Sequence, residues 1–148
     1  MRKIFLIICA AMLMTGCGEE AQAPLKSAPN KINLDAAKDG VYIVESSRDE
    51  NFGNGTLTLT IKDKKIIAAE FTGYDIFGKV KDADYCSLLG KDNDDYKRAQ
   101  AAVVAIKIYP AQLAETQDLS KVDTIAGATI SYNQFVETVK RAVKEASE

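Results

Sequence analysis

The stretch of this chain best equipped for chemistry is Asp123-Thr124-Ile125-Ala126-Gly127-Ala128-Thr129-Ile130-Ser131. Gly127 lets the backbone turn sharply and come close to a ligand. Ala128 adds little bulk beside it, and Thr129 offers a hydroxyl where a helix is expected to begin. The start of a helix presents unpaired N–H groups and a partial positive charge, a ready site for a phosphate. A phosphoester on Thr129 would sit in a favourable field, worth roughly 0.3–1 kcal/mol at an exposed helix end. The same residues also serve a plain turn, the commonest use of Gly before a helix.

Other chemistry is excluded by composition. The 148 residues contain no histidine, which removes His-based triads, His metal ligands and an imidazole base. No metal site is expected. The three cysteines are Cys9, Cys17 and Cys86. A lone Cys86 between Tyr85 and Ser87 reads as a small half-buried residue, because no His or second thiol is there to serve it. The net charge of −2 gives no basic footprint for nucleic acid.

The first residues read as a targeting segment. Arg2 and Lys3 precede an apolar run from Ile4 to Met14, too short to span a bilayer but of the length of a signal-peptide core. It ends in Met14-Thr15-Gly16-Cys17, which resembles a bacterial lipoprotein signal, with Met14 in place of the usual Leu. The expected division is a signal peptide over 1–16, a lipidated Cys17 with a flexible tether over 17–38, and a folded domain over 39–148. Cleavage would leave 17 basic residues against 21 acidic ones, so the lipid rather than charge would hold the membrane.

The positioning elements follow from periodicity. Asp39-Gly40 is a turn before the β-forming Val41-Tyr42-Ile43-Val44. A loop over 49–55 precedes Thr56-Leu57-Thr58-Leu59-Thr60-Ile61, whose alternation marks a half-buried strand. Asp63-Lys64-Lys65 turns the chain into a third strand over 66–71. The region 73–90 has no clear period and is expected to be an irregular loop or a short extra strand. A helix starts within Asp92–Asp95 and runs through Tyr96–Ile108, with Pro110 expected to break or kink it. Leu113 falls on a second short helical piece, and 118–121 forms a loop. In the last helix Ser131 and Gln134 fit a capping box, followed by an apolar stripe from Phe135 to Ala146. The fold class is α+β, an antiparallel sheet with helices segregated to one side.

Asp-x-x-x-Gly-Ala-Thr just before a C-terminal amphipathic helix resembles the flavinylation motif of the FMN-binding domain family. That family includes the C subunit of the sodium-pumping NADH:quinone oxidoreductase, the G subunit of the Rnf complex and small single-domain lipoproteins. Asp39-Gly40-Val41-Tyr42, the Thr-rich strand and Lys121-Val122-Asp123 are similar to those lipoproteins as well, and the likeness covers about residues 39 to 146. The resemblance implies FMN linked through its phosphate to Thr129. It gives Asp123 a role in recognition by the flavin transferase or in local geometry, and Gly127 and Ala128 the motif's small positions. Ala126 stands where the family usually has Ser or Thr, which removes one hydroxyl beside the attachment site. Thr124 and Ser131 are the alternative acceptors. An isoalloxazine ring needs an apolar surface, for which Tyr74, Phe77, Tyr85, Tyr109 and Tyr132 are candidates, each also able to serve the core.

The resulting expectation is an extracytoplasmic, lipid-anchored electron carrier, not an enzyme, matured by a flavin transferase and serving redox partner proteins. The alternative is a surface lipoprotein that keeps the fold without flavin and binds a partner. A third reading, a reductase working at the flavin, would need a Tyr, a Lys or Cys86 as proton donor.

Overall fold

A computed structural model describes residues 30–148; the expected signal segment and Cys17 lie outside the described residues. Three strands form an antiparallel meander in chain order: β1 (Gly40–Glu45), β2 (Asn54–Lys62) and β3 (Lys65–Tyr74). Tyr42 pairs with Leu59, and Leu59 with Ala69, so the register places Leu57, Leu59 and Ile61 on one face. All three are buried, while Thr56, Thr58 and Thr60 turn to the other face and are half-buried. The alternation in the sequence is thus the alternation of a sheet with one covered side. Asp63 and Lys64 join β2 to β3 with positive φ of 49° and 61°, the two-residue geometry that matches the twist of a hairpin.

Two helices cover the buried face. The first, α1 (Asp94–Thr116), packs on β3; the second, α2 (Thr129–Ser147), packs on β2 and β1. Asn93 caps α1 by accepting from Asp95 N at 2.8 Å, and Asp94 and Asp95 occupy the positive end of the helix. Rings meet where the layers meet: Phe71 and Phe135 have centroids 5.3 Å apart, Tyr109 and Tyr132 5.5 Å. Tyr109, Leu113, Phe135 and Val139 are fully buried between them. Among the described residues, no helix is long and apolar enough to cross a membrane.

The α+β arrangement is the one expected, but local expectations change at Pro110 and Ser131. Pro110 does not divide α1, which runs unbroken to Thr116 and includes Leu113. The missing proline N–H removes one backbone bond, and burial of Tyr109, Pro110 and Leu113 on the sheet holds the helix together across it. Ser131 does not cap α2: the helix begins two residues earlier, and Ser131 lies buried in its first turn. Gln134 accordingly makes no capping box and instead donates to Gly53 O at 2.9 Å. The packed body also extends upstream of Asp39, since Ala37 joins the core, Ile32 and Leu34 pack against it, and Lys38 N donates to Ala146 O at 2.8 Å. Finally, the segment after β3 is ordered by a bridge between Tyr74 and Val80 and a short 3-10 turn at Ser87–Leu89.

Candidate functional site

The start of α2 opens onto a cavity of about 510 Å³. Gly127, Ala128, Thr129, Ile130 and Ser131 form one wall, and Asp95, Arg98, Ala99 and Ala102 of α1 form another. Phe52, Lys81, Tyr85 and Cys86 complete it. Its size falls within the range of about 300–1,000 Å³ usual for small-molecule sites.

The loop that delivers Thr129 is held by the core beneath it. Gln112 Oε1 accepts from Asp123 N at 3.1 Å, and the buried Tyr109 hydroxyl accepts from Ile125 N at 3.2 Å. Ile125 O then accepts from Ala128 N at 2.9 Å, closing a turn around Gly127, whose φ is +84°. A side-chain Cβ at Gly127 would meet nothing nearer than Ala101 at 3.5 Å, so glycine is needed for the backbone conformation rather than for space. Thr129 emerges as the first helical residue, with its side chain exposed.

The helix end is bare. Ala128 occupies the cap position and supplies no side-chain bond. The first helical bond within α2 runs from Tyr132 N to Ala128 O, which leaves the N–H groups of Thr129, Ile130 and Ser131 without a helical acceptor. All three residues line the cavity. Such a helix start suits an anionic group.

The cavity wall also holds a buried cation. Lys81 is only 5% exposed. Its backbone N donates to Gly73 O at 2.9 Å, its Nζ donates to Phe52 O, and the ammonium lies 5.6 Å from the centre of the Tyr85 ring. Burial pulls its pKa below 10.5, partly offset by the negative charges of Asp75 and Asp49. Burial also pushes the Tyr85 hydroxyl up to about 12, with the neighbouring Cys86 adding to the shift. Tyr85 and Cys86 are half-buried, and Cys86 adopts the left-handed conformation with φ 60°.

Of the residues read as site residues from the sequence, Gly127, Ala128, Thr129, Ile130 and Ser131 gather on the cavity wall. Asp123 and Ala126 sit exposed on the loop outside it, and Thr124 is exposed beside them. Tyr85 alone of the five aromatic candidates lines the cavity. Tyr109 is fully buried, Tyr132 packs on it, Tyr74 ends β3, and Phe77 projects 87% exposed from the turn after β3. Sequence reading missed Phe52, Lys81, Arg98 and the alanine face of α1. The alanines show a helical spacing, but Lys81 lies in a segment with no period to reveal it.

A three-stranded antiparallel sheet thus carries two helices on one face, and a glycine turn brings a threonine to a cavity of small-molecule size. The family model for the FMN-binding domain matches residues 52–144, and the chain belongs to that family. A crystal structure of a Clostridium perfringens protein is similar, with 25% identity, a TM-score of 0.52 and coverage of 74% of this chain and 88% of that one. No curated protein matches. The cavity suits the cofactor. Ala99, Ala102, Tyr85 and Phe52 offer apolar surface for a ring, and the bare start of α2 offers donors for a phosphate.

Proposed function

We propose that this domain carries FMN covalently, through a phosphoester to Thr129, and serves as an electron carrier rather than as an enzyme with its own substrate. One observation carries the reading: Thr129 is an exposed first-turn residue on the wall of the cavity, at a helix start that no side chain caps. FMN, when bound, supplies electron transfer; the protein supplies attachment, orientation and field. Gly127 and the bonds from Gln112 and Tyr109 hold the acceptor turn in place. Asp123 and Ala126, outside the cavity, face the solution from which a flavin transferase would approach. Lipidation at Cys17 would hold the domain at an extracytoplasmic membrane face, where a covalent link prevents loss of the flavin by diffusion. Its redox partners would then be membrane-associated proteins.

The test is intact mass of protein exported together with a flavin transferase, beside Thr129→Ala. A gain of one FMN less one water in the wild type, and none in the variant, supports the reading. An unmodified wild type, under conditions that label another member of the family, would instead favour a flavin-free binding lipoprotein.

A further inference from the structure

Lys81 poses a question that the attachment site does not answer. A buried ammonium is strongly disfavoured unless it is paired and its donors are satisfied. Its Nζ donates to one carbonyl, Phe52 O, although an ammonium has three donors. Among the described residues, the ion pairs are made by other lysines and arginines, and no carboxylate reaches Lys81 at pairing distance. A cation that is 5% exposed, lines a cavity and has no counter-ion among the described residues is a group prepared for an anion in that cavity.

The cavity has two places for negative charge. One is the start of α2, with the bare N–H groups of Thr129 to Ser131. Arg98 belongs to that end, because its stem lies 3.6 Å from the Cβ position of Gly127. Arg98 is also solvated, 69% exposed, and paired with Asp95 at 3.1 Å. The other is Lys81, beside Tyr85 and Phe52. The phosphate of a Thr129-linked FMN would meet the N–H groups of its own helix start, and Lys81 is then assigned to the ring.

Resting on the covalent-FMN reading above, we propose that Lys81 is a positioning residue whose ammonium pairs with the negative charge the flavin ring gains on reduction, holding the potential up. The balance is simple. Two electrons from an external donor and one proton delivered to N5 convert the oxidised ring to a reduced ring, with N1 left unprotonated. The reduced ring therefore carries one more negative charge than the oxidised ring, located around N1 and the C2 carbonyl. A nearby fixed cation favours the reduced form over the oxidised one, in the low-dielectric setting where charge pairs are strongest. The other ionisable groups lining the cavity are Asp95, Arg98, Tyr85 and Cys86, with Asp75 and Asp49 acting on Lys81 from further away. Tyr85 stays protonated below about pH 12, so it adds no competing charge in the neutral range.

The experiment begins with the intact mass of flavinylated wild type, Lys81→Met and Lys81→Arg, followed by dye-coupled potentiometric titration with dithionite as the reductant. Lys81→Met, with FMN still attached, is expected to shift the reduced-to-oxidised equilibrium toward the oxidised form by about tenfold. For a two-electron couple this is a fall of about 30 mV. Lys81→Arg should keep most of the wild-type potential. A second readout needs no variant: the pH at which N1 of the reduced flavin loses its proton, followed by absorbance, should lie lower in the wild-type protein than in free reduced FMN. An attached Lys81→Met protein with an unchanged potential would overturn the proposal, and so would an arginine variant that falls as far as methionine. Loss of attachment in Lys81→Met with the helix start intact would place Lys81 at the phosphate instead, which also overturns it. If Lys81→Met does not fold, an N1 ionisation at or above that of free FMN still overturns it. A wild type that accepts no FMN defeats the covalent reading itself, and this proposal with it.

Discussion

The middle of the helix layer and the cavity beside it follow opposite rules. Where α1 and α2 cross the middle of the sheet, Leu57, Leu59, Ile61, Tyr109, Leu113, Phe135 and Val139 are buried with their polar groups satisfied, and Thr138 bonds back to Phe135 O at 2.8 Å. At the cavity, the domain keeps features that each work against stability: a cation with no counter-ion among the described residues, a helix without a side-chain cap, and left-handed backbone at Cys86 and Gly127. The middle is built by apolar burial, which is non-directional and tolerant. The cavity is built by specific polar placements that only a ligand would complete. The comparison teaches where binding was given precedence over stability.

The largest expected effects separate the two regions cleanly. Phe135→Ala should destabilise the protein by about 3–5 kcal/mol in urea unfolding, through loss of a fully buried ring and the cavity left behind. Thr129→Ala should change stability by no more than about 0.5 kcal/mol, as an exposed substitution, yet abolish FMN attachment completely by mass. If Thr129→Ala destabilises as strongly as Phe135→Ala, the division into a structural middle and a functional end is wrong.

Gly127→Ala comes next. The added Cβ has room, so the expected loss is the conformational one of about 1–2 kcal/mol for a left-handed residue with a side chain. Slower flavinylation in a time course should accompany it, because the acceptor turn is then held less firmly.

A smaller effect concerns Lys81 without flavin. Its pKa in the folded state lies below 10.5, so the folded protein releases this proton before the unfolded chain does. In that interval the unfolded state binds more protons, and stability rises with pH toward 10.5. Urea titrations of flavin-free wild type and Lys81→Met across this range should show the rise only in the wild type. Equal slopes in both proteins would mean that Lys81 is not the strained group described here.

The smallest effect is remote from both regions. Two bonds from Ser120, at 2.6 Å from its hydroxyl and 2.9 Å from its N–H, hold the Asp118 carboxyl below its ordinary pKa of 3.8. A depressed carboxyl contributes stability above the unfolded value and loses it as pH falls through the folded one. Wild type and Asp118→Asn should therefore differ slightly near neutrality and converge under acid. A difference that persists once the carboxyl is fully protonated in acid would point to a cause other than this carboxylate.

Much of this architecture was readable in advance. The Thr-Leu alternation of β2 fixed its buried face because a strand has a period of two, and the apolar stripe of α2 did the same at 3.6. The cavity wall at the start of α2 was readable because its residues are contiguous, 127 to 131. The rest of the cavity wall was not. Phe52, Lys81 and Arg98 come from three separate segments and meet only through tertiary packing, which leaves no mark on local pattern. Ser131 misled because a serine three positions before a glutamine has the form of a cap. The turn closed by Tyr109 and Ile125 starts the helix two residues sooner and draws Ser131 inside. Pro110 misled because the rule for isolated helices ignores the sheet against which this one lies.

Asn30, at the start of the described chain, donates to the hydroxyl of Tyr132 at 3.3 Å, and Tyr132 stands three residues, less than one helical turn, from Thr129. The polypeptide therefore enters the domain beside the helix that bears the acceptor. Whatever is borne at the start of α2 is thus held within one helical turn of the place where the described chain joins the packed body.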